Sequence, residues 1–178
     1  MVILITGASH TGKTLLAQRL LEAYRYPCLS IDHLKMGLIR SGKTELTPED
    51  DEALTDYLWP ILREMVKTAV ENRQNLILEG CYIPAGWRRD FGETYLRVIR
   101  CVCLAMTEAY IDARFGDILA HESDIERRLC AADITAEGLK RENRAVLKAF
   151  RAAGEPVALI DGDYPRAIAA LPIWQELG

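Results

Sequence analysis

Near the start of the chain, Gly7-Ala8-Ser9-His10-Thr11-Gly12-Lys13-Thr14 carries the pattern G-x-x-x-x-G-K-[ST]. It joins an apolar run, Val2–Ile5, directly to an amphipathic stretch, LLAQRLLEAY. The chemistry of this spacing is phosphate binding. Gly7 and Gly12 allow a tight turn and close backbone approach, so successive N–H groups from Ala8, Ser9, His10 and Thr11 can surround an anion at a helix N-terminus. Lys13 has the reach to bridge β- and γ-phosphates, and the Thr14 hydroxyl is a ligand for Mg²⁺. His10 stands at a variable position of the loop and has no catalytic role of its own.

Two carboxylates follow apolar runs and so fall at strand ends, where parallel sheets bind ligands. Asp32 comes after Cys28–Ile31 and Glu79 closes Leu76–Leu78. Asp32 can take the proton of an attacking hydroxyl or hold Mg²⁺ through water, and it is equally a good N-cap for HLKMGLIR. Glu79 can orient metal-bound water or an acceptor. Lys35 and Arg40 on the next helix, and Arg88 and Arg89 after the third run, are natural partners for a phosphorylated or acidic acceptor. Arg114, Arg127, Arg128, Arg141 and Arg144 supply cations of the kind phosphoryl transfer needs.

The elements that would position these groups alternate along the chain. Val2–Ile5, Cys28–Ile31, Leu76–Leu78, Val98–Leu104 and Val157–Ile160 are short apolar runs with little alternation, as in strands buried on both faces of a parallel sheet. Between them lie helical patterns. Leu16, Leu20 and Tyr24 mark the first. Leu54, Leu58, Ile61, Leu62, Met65, Val66 and Ala69 mark the second, with Thr47 as predicted N-cap, Pro48 at the first position, and Pro60 expected to kink or break it. A third helix is expected after Thr107 and a fourth over Glu137–Ala153. The polar segment Gly116–Asp133 reads as an excursion from the core and a candidate lid.

Composition bounds the function. The 178 residues fit a single domain, and 22 basic against 26 acidic residues give a net charge of −4, with no general footprint for nucleic acid or an anionic membrane. Five cysteines without a CxxC pair do not make a disulfide framework or zinc knuckle, and Cys101 and Cys103 read as small core residues on one strand face. No apolar stretch approaches the roughly 20 residues needed to cross a bilayer, and no export signal is visible, so a cytoplasmic protein is expected. The guanine-reading NKxD tetrad of GTPases is absent.

Four segments carry a resemblance. GASHTGKT, LSIDHLKMGLIRSGKTEL, LILEG and DITAEGLKRENRAVLKAFRAAGEPVALID are together similar to the small P-loop kinases of the adenylate-kinase and metabolite-kinase group. The resemblance implies a three-layer α/β P-loop NTPase fold with a five-stranded parallel sheet and a small helical lid, residues 1–178 forming one kinase domain with the lid near 116–133. It implies ATP as donor and Mg²⁺ as cofactor, a small-molecule acceptor, Arg114 at the lid entrance, and Arg141 or Arg144 at its exit closing over the donor. The acceptor side departs from adenylate kinases: Ile31 precedes Asp32, Lys35 replaces the usual arginine, and GCYIPAGWRR stands where G-F-P-R is usual. Kinases of small hydroxyl compounds often place an Asp after the second strand as base, as Asp32 is placed here. The expectation is therefore an ATP- and Mg²⁺-dependent kinase of a hydroxyl-bearing metabolite. A nucleoside monophosphate kinase, a zeta-toxin-like nucleotide-sugar kinase and a non-catalytic nucleotide-binding regulator are the alternatives; oligomeric state is left open.

Overall fold

A computed structural model describes residues 1–120 and 134–176. The chain order is β1 (Val2–Gly7), α1 (Lys13–Tyr24), β2 (Cys28–Ser30), α2 (Ile31–Arg40), α3 (Asp51–Glu71), β3 (Leu76–Glu79), a 3₁₀ turn (Trp87–Asp90), α4 (Glu93–Leu96), β4 (Ile99–Met106), α5 (Glu108–Ala120), α6 (Ala136–Ala152), β5 (Val157–Ile160), α7 (Tyr164–Ala169) and α8 (Ile173–Glu176). All five strands run parallel in the order β2-β3-β1-β4-β5. The connection leaving β1 goes to one side and β4 arrives on the other, so the turn after β1 opens at the switch point where such sheets bind ligands.

The period-two geometry of β1 divides the core. Val2 and Leu4 face α3, where they meet Leu54, Leu58, Leu62 and Val66. Ile3 and Ile5 face the other way, against Leu16, Ala17 and Leu20 of α1. Helices on both faces give three layers. A third cluster joins Met106, Ile111, Ile118, Leu139 and Ile160 beyond the end of β4. The expectation of strands buried on both faces holds for β1, but β2 is an edge strand with Cys28 exposed, and β5 is only half-buried.

Two local expectations are corrected. Helix α3 starts at Asp51, not after Thr47; the Thr47 N–H and hydroxyl both donate to Asp50 Oδ2 at 2.8 Å, building a turn in front of the helix. Pro60 neither breaks nor ends α3, which runs through it to Glu71. Pro60 lies on the exposed side, so the carbonyl its ring frees, that of exposed Asp56, can turn to water. Residues 116–120 of the candidate lid close helix α5; residues 121–133, with Arg127, Arg128 and Cys130, lie outside the described residues. Among the described residues no helix is long and apolar enough to cross a membrane.

Candidate active site

The loop between β1 and α1 has the backbone the glycines predict. Gly7 has φ 138° and a Cβ there would stand 2.1 Å from the Leu104 carbonyl oxygen; Gly12 has φ 78° and a Cβ would strike the Tyr164 hydroxyl at 1.9 Å. His10 also takes a left-handed φ of 61°, which makes it a conformational member of the cradle. The Thr11 hydroxyl donates to the Ala8 carbonyl at 2.8 Å, and Lys13 Nζ donates to the same oxygen at 2.7 Å. The lysine is buried and curled around the loop it serves. Tyr164, at the start of α7, donates to the Gly12 carbonyl at 3.3 Å and braces the loop from outside; burial pushes its hydroxyl up to about 12.

The strand register brings the two carboxylates to this loop. Glu79 pairs with Ile5 on one side and Ser30 on the other, so Glu79 and the residues after Ser30 end at one edge of the sheet. Glu79 is buried, and its Oε2 accepts from the Thr14 hydroxyl at 3.3 Å. Gly80 has φ 155° and leaves no room for a Cβ, which would lie 2.8 Å from Cβ of Ile31. That close approach sets Asp32 beside the end of β3.

Asp32 lies in the first turn of α2 rather than at its cap, which is Ser30. Its Oδ1 pairs with Lys35 Nζ at 2.7 Å, and Lys35 also donates to the Tyr82 hydroxyl at 3.0 Å. Tyr82 in turn donates to Asp51 Oδ1 at 3.1 Å, tying the first turn of α3 to the site. Burial opposes the Lys35 charge, but the hydrogen bonds it donates to Asp32 and Tyr82 outweigh it and hold its pKa above the ordinary lysine range. Burial pushes Tyr82 up to about 12, against the pull of Lys35. The pair is therefore an ammonium and a neutral phenol at any physiological pH.

The arginines fall in different places. Arg88 pairs with Glu155 Oε1 and stacks over the Trp87 ring, 4.7 Å from its centroid. Glu155 is almost fully buried just before β5. Arg40 is exposed in the last turn of α2, and Arg89 is exposed in the 3₁₀ turn. Arg114 sits at a break in α5 (φ −126°, ψ 16°) and pairs with Asp117 at 2.9 Å. Arg141 is exposed on α6, and Arg144 pairs with Glu108 at 3.0 Å. Tyr82, Trp87 and Trp59 belong to the core, the last donating through its indole N–H to Asp90 at 2.7 Å. Burial raises the thiols of Cys101 and Cys103, which keeps both protonated and inert.

Two residues of α6 reach the site without a signal in the sequence. Glu142 Oε1 accepts from the Ser9 backbone N–H at 2.7 Å. Asn143 is buried, accepting from the Met106 N–H at 2.7 Å and donating to the Leu139 carbonyl at 2.8 Å, so it fixes α6 to the end of β4. Polar residues inside a charged helical stretch look like surface; only the neighbouring strand end reveals their role.

The 2-3-1-4-5 parallel sheet with helices on both faces has counterparts among solved structures. The fold is that of P-loop small-molecule kinases. A sugar kinase from Janibacter sp. HTCC2649 superposes with a TM-score of 0.57 at 16% identity, over 99% of this chain and 95% of that one. A gluconokinase from Sinorhizobium meliloti 1021 gives 0.55 at 17%, over 98% and 93%. A deoxyadenosine kinase from M. mycoides gives 0.59 at 14%, over 99% and 98%. No protein-family model matches the chain, and no curated protein matches it. At these identities the likeness is one of fold.

Proposed function

We propose that this chain is an ATP- and Mg²⁺-dependent phosphotransferase that moves the γ-phosphoryl group of ATP to a hydroxyl of a small molecule. One observation carries the reading: the phosphate loop with Lys13, the Thr14–Glu79 contact and the Asp32 carboxylate all stand at one edge of the sheet. Backbone N–H groups of the loop hold the triphosphate, and Lys13 exchanges the Ala8 carbonyl for phosphate oxygens. The Thr14 hydroxyl and, behind it, the Glu79 carboxylate are a donor pair suited to Mg²⁺; among the described residues no cluster of three ligating side chains would hold a metal without the triphosphate. Mg²⁺, when bound, neutralises phosphate charge.

Asp32 is the base of this reading. The acceptor oxygen loses its proton to the carboxylate as its bond to the γ-phosphorus forms. The bond from that phosphorus to the β–γ bridging oxygen breaks, and its electron pair leaves with ADP. Arg114, Arg141 and Arg144, on the two helices that flank residues 121–133, are the cations available to the donor; Arg114 and Arg144 would give up exposed pairs with Asp117 and Glu108 to engage it.

The test is ADP release from Mg·ATP over an acceptor panel of nucleosides, nucleoside monophosphates, sugars, nucleotide sugars and antibiotics, with Lys13→Ala as control. A Lys13-dependent signal with a hydroxyl acceptor, abolished by Asp32→Asn while ATP still binds, is the expected outcome. A signal with monophosphates alone removes Asp32 as base, and silence across the panel with ATP bound leaves an acceptor outside the panel or a nucleotide-binding regulator.

A further inference from the structure

We propose that the acceptor carries no phosphate or carboxylate group: the site selects an uncharged or cationic polyhydroxy compound because the lysine beside its base is already neutralised by a built-in carboxylate. This rests on the phosphotransferase reading and narrows its substrate class. Of the cations on α2 and after β3, Lys35 and Arg88 are held by carboxylates, while Arg40 and Arg89 are exposed. Lys35 is held by Asp32 at 2.7 Å and capped by Tyr82, with its side chain only 12% exposed. Arg88 is held by Glu155, whose side chain is 5% exposed.

An anionic acceptor would have to share Lys35 with Asp32, whose own charge stands beside it and repels the newcomer. Asp51 and Glu79 add further negative charge around Lys35 and the loop, through Tyr82 and Thr14 respectively. Arg40 lies eight residues past Asp32, about 12 Å along the α2 axis, and exposed. Around Asp32 the described residues thus offer a paired lysine, the carboxylates of Asp32 and Asp51, and a phenol. These donate to and accept from hydroxyls without favouring an anion. An ammonium on the acceptor would meet the outer oxygens of Asp32 or Asp51 directly.

The experiment compares hydroxylated frames that differ in one group: glucose with gluconate, glucose 6-phosphate and glucosamine, and adenosine with adenosine monophosphate. Initial rates are taken with Mg·ATP, and equilibrium binding is taken with Mg·ADP saturating the loop. Within each set the neutral or cationic member should exceed the anionic one by about tenfold or more in kcat/KM or affinity. Faster turnover or tighter binding of the anionic member overturns this inference and leaves the kinase reading standing. Failure of Mg·ADP itself to bind overturns both.

Charge-altered variants make the test independent of turnover. Asp32→Asn frees the Lys35 ammonium and should raise affinity for gluconate and glucose 6-phosphate by about tenfold, with affinity for glucose changed far less. Lys35→Met frees the Asp32 carboxylate and should favour glucosamine over glucose. Both variants keep the wild-type circular dichroism if they are read as folded. Anion affinity unchanged in folded Asp32→Asn overturns the inference.

Discussion

The Ser9 backbone N–H donates to Glu142 Oε1 at 2.7 Å, so a carboxylate from α6 rests on the phosphate loop. On the proposed reading the loop receives a triphosphate, and this internal carboxylate occupies part of its donor array. A triphosphate must either displace that carboxylate or tolerate it nearby. Glu142→Gln keeps a hydrogen-bond acceptor and removes the charge. It should tighten Mg·ATP binding by roughly threefold to tenfold, measured by equilibrium titration. Weaker binding in this variant would show that the carboxylate shapes the loop for the nucleotide instead of competing with it.

The Asp32–Lys35–Tyr82 chain contributes to the alkaline edge of stability, together with the buried thiols and Tyr164. Both Lys35 and Tyr82 have folded pKa values above their ordinary ones, so the folded protein holds these protons more tightly than the unfolded chain. Their contribution is complete below pH ~10, the unfolded range, and is lost as pH rises through the folded values, about 12 for Tyr82. Denaturation midpoints should fall as pH climbs above ~10. In Tyr82→Phe the fall should be shallower, from a starting stability lower by about 1 kcal/mol for the two lost hydrogen bonds. An identical pH slope in the variant would remove Tyr82 from this account.

Asn143 should matter more to stability than its place in a charged helix suggests. Replacing it by Leu leaves the buried Met106 N–H without its acceptor, and a cost of about 2 kcal/mol is expected. Urea unfolding with an unchanged m-value and a lowered midpoint is the supporting result. The substitution also loosens α6, so Mg·ATP binding should weaken with it.

Pro60→Ala makes the opposite prediction. The proline sits inside α3 on its exposed side, where it withholds one helical N–H without packing against the core. Alanine restores that donor and improves propensity, offset by the greater freedom of the unfolded chain, and a gain of about 1 kcal/mol in thermal or denaturant unfolding is expected. A loss would mean that the proline ring itself supports the approach of α3 to its neighbours.

Gly7→Ala should be among the most damaging single substitutions. Gly7 has a positive φ, and a methyl group on it would stand 2.1 Å from the Leu104 carbonyl oxygen, which leaves no adjustment short of moving β1 from β4. A cost of about 2–4 kcal/mol is expected, with loss of nucleotide binding in whatever folds. Near-native stability would show that the two strands can part locally.

The parallel sheet and the phosphate loop are legible in the residues because both rest on local rules. Short apolar runs separated by helical periods admit little but a parallel α/β sheet, and G-x-x-x-x-G-K-T needs its glycines wherever it occurs. Asp32 and Glu79 fall at strand ends for the same reason. The start of α3 is not legible in this way: Thr47 and Pro48 make a good helix entrance, yet the Thr47–Asp50 turn competes for the same segment and wins. Nor is the effect of Pro60, which depends on which way the freed carbonyl faces, and burial decides that.

The pairing of charges leaves no trace in the sequence. Lys35 is only three residues from Asp32, yet its second partner is 47 positions away. Arg88 finds Glu155 67 positions on, and Glu142 finds Ser9 across 133. The sequence by itself determined a glycine-built loop with the G-x-x-x-x-G-K-T spacing at the edge of a parallel sheet. Only the tertiary structure decided which charges remain open to a substrate, because ion pairing acts over a few ångströms and strands far apart in sequence meet at that distance only once the sheet has closed.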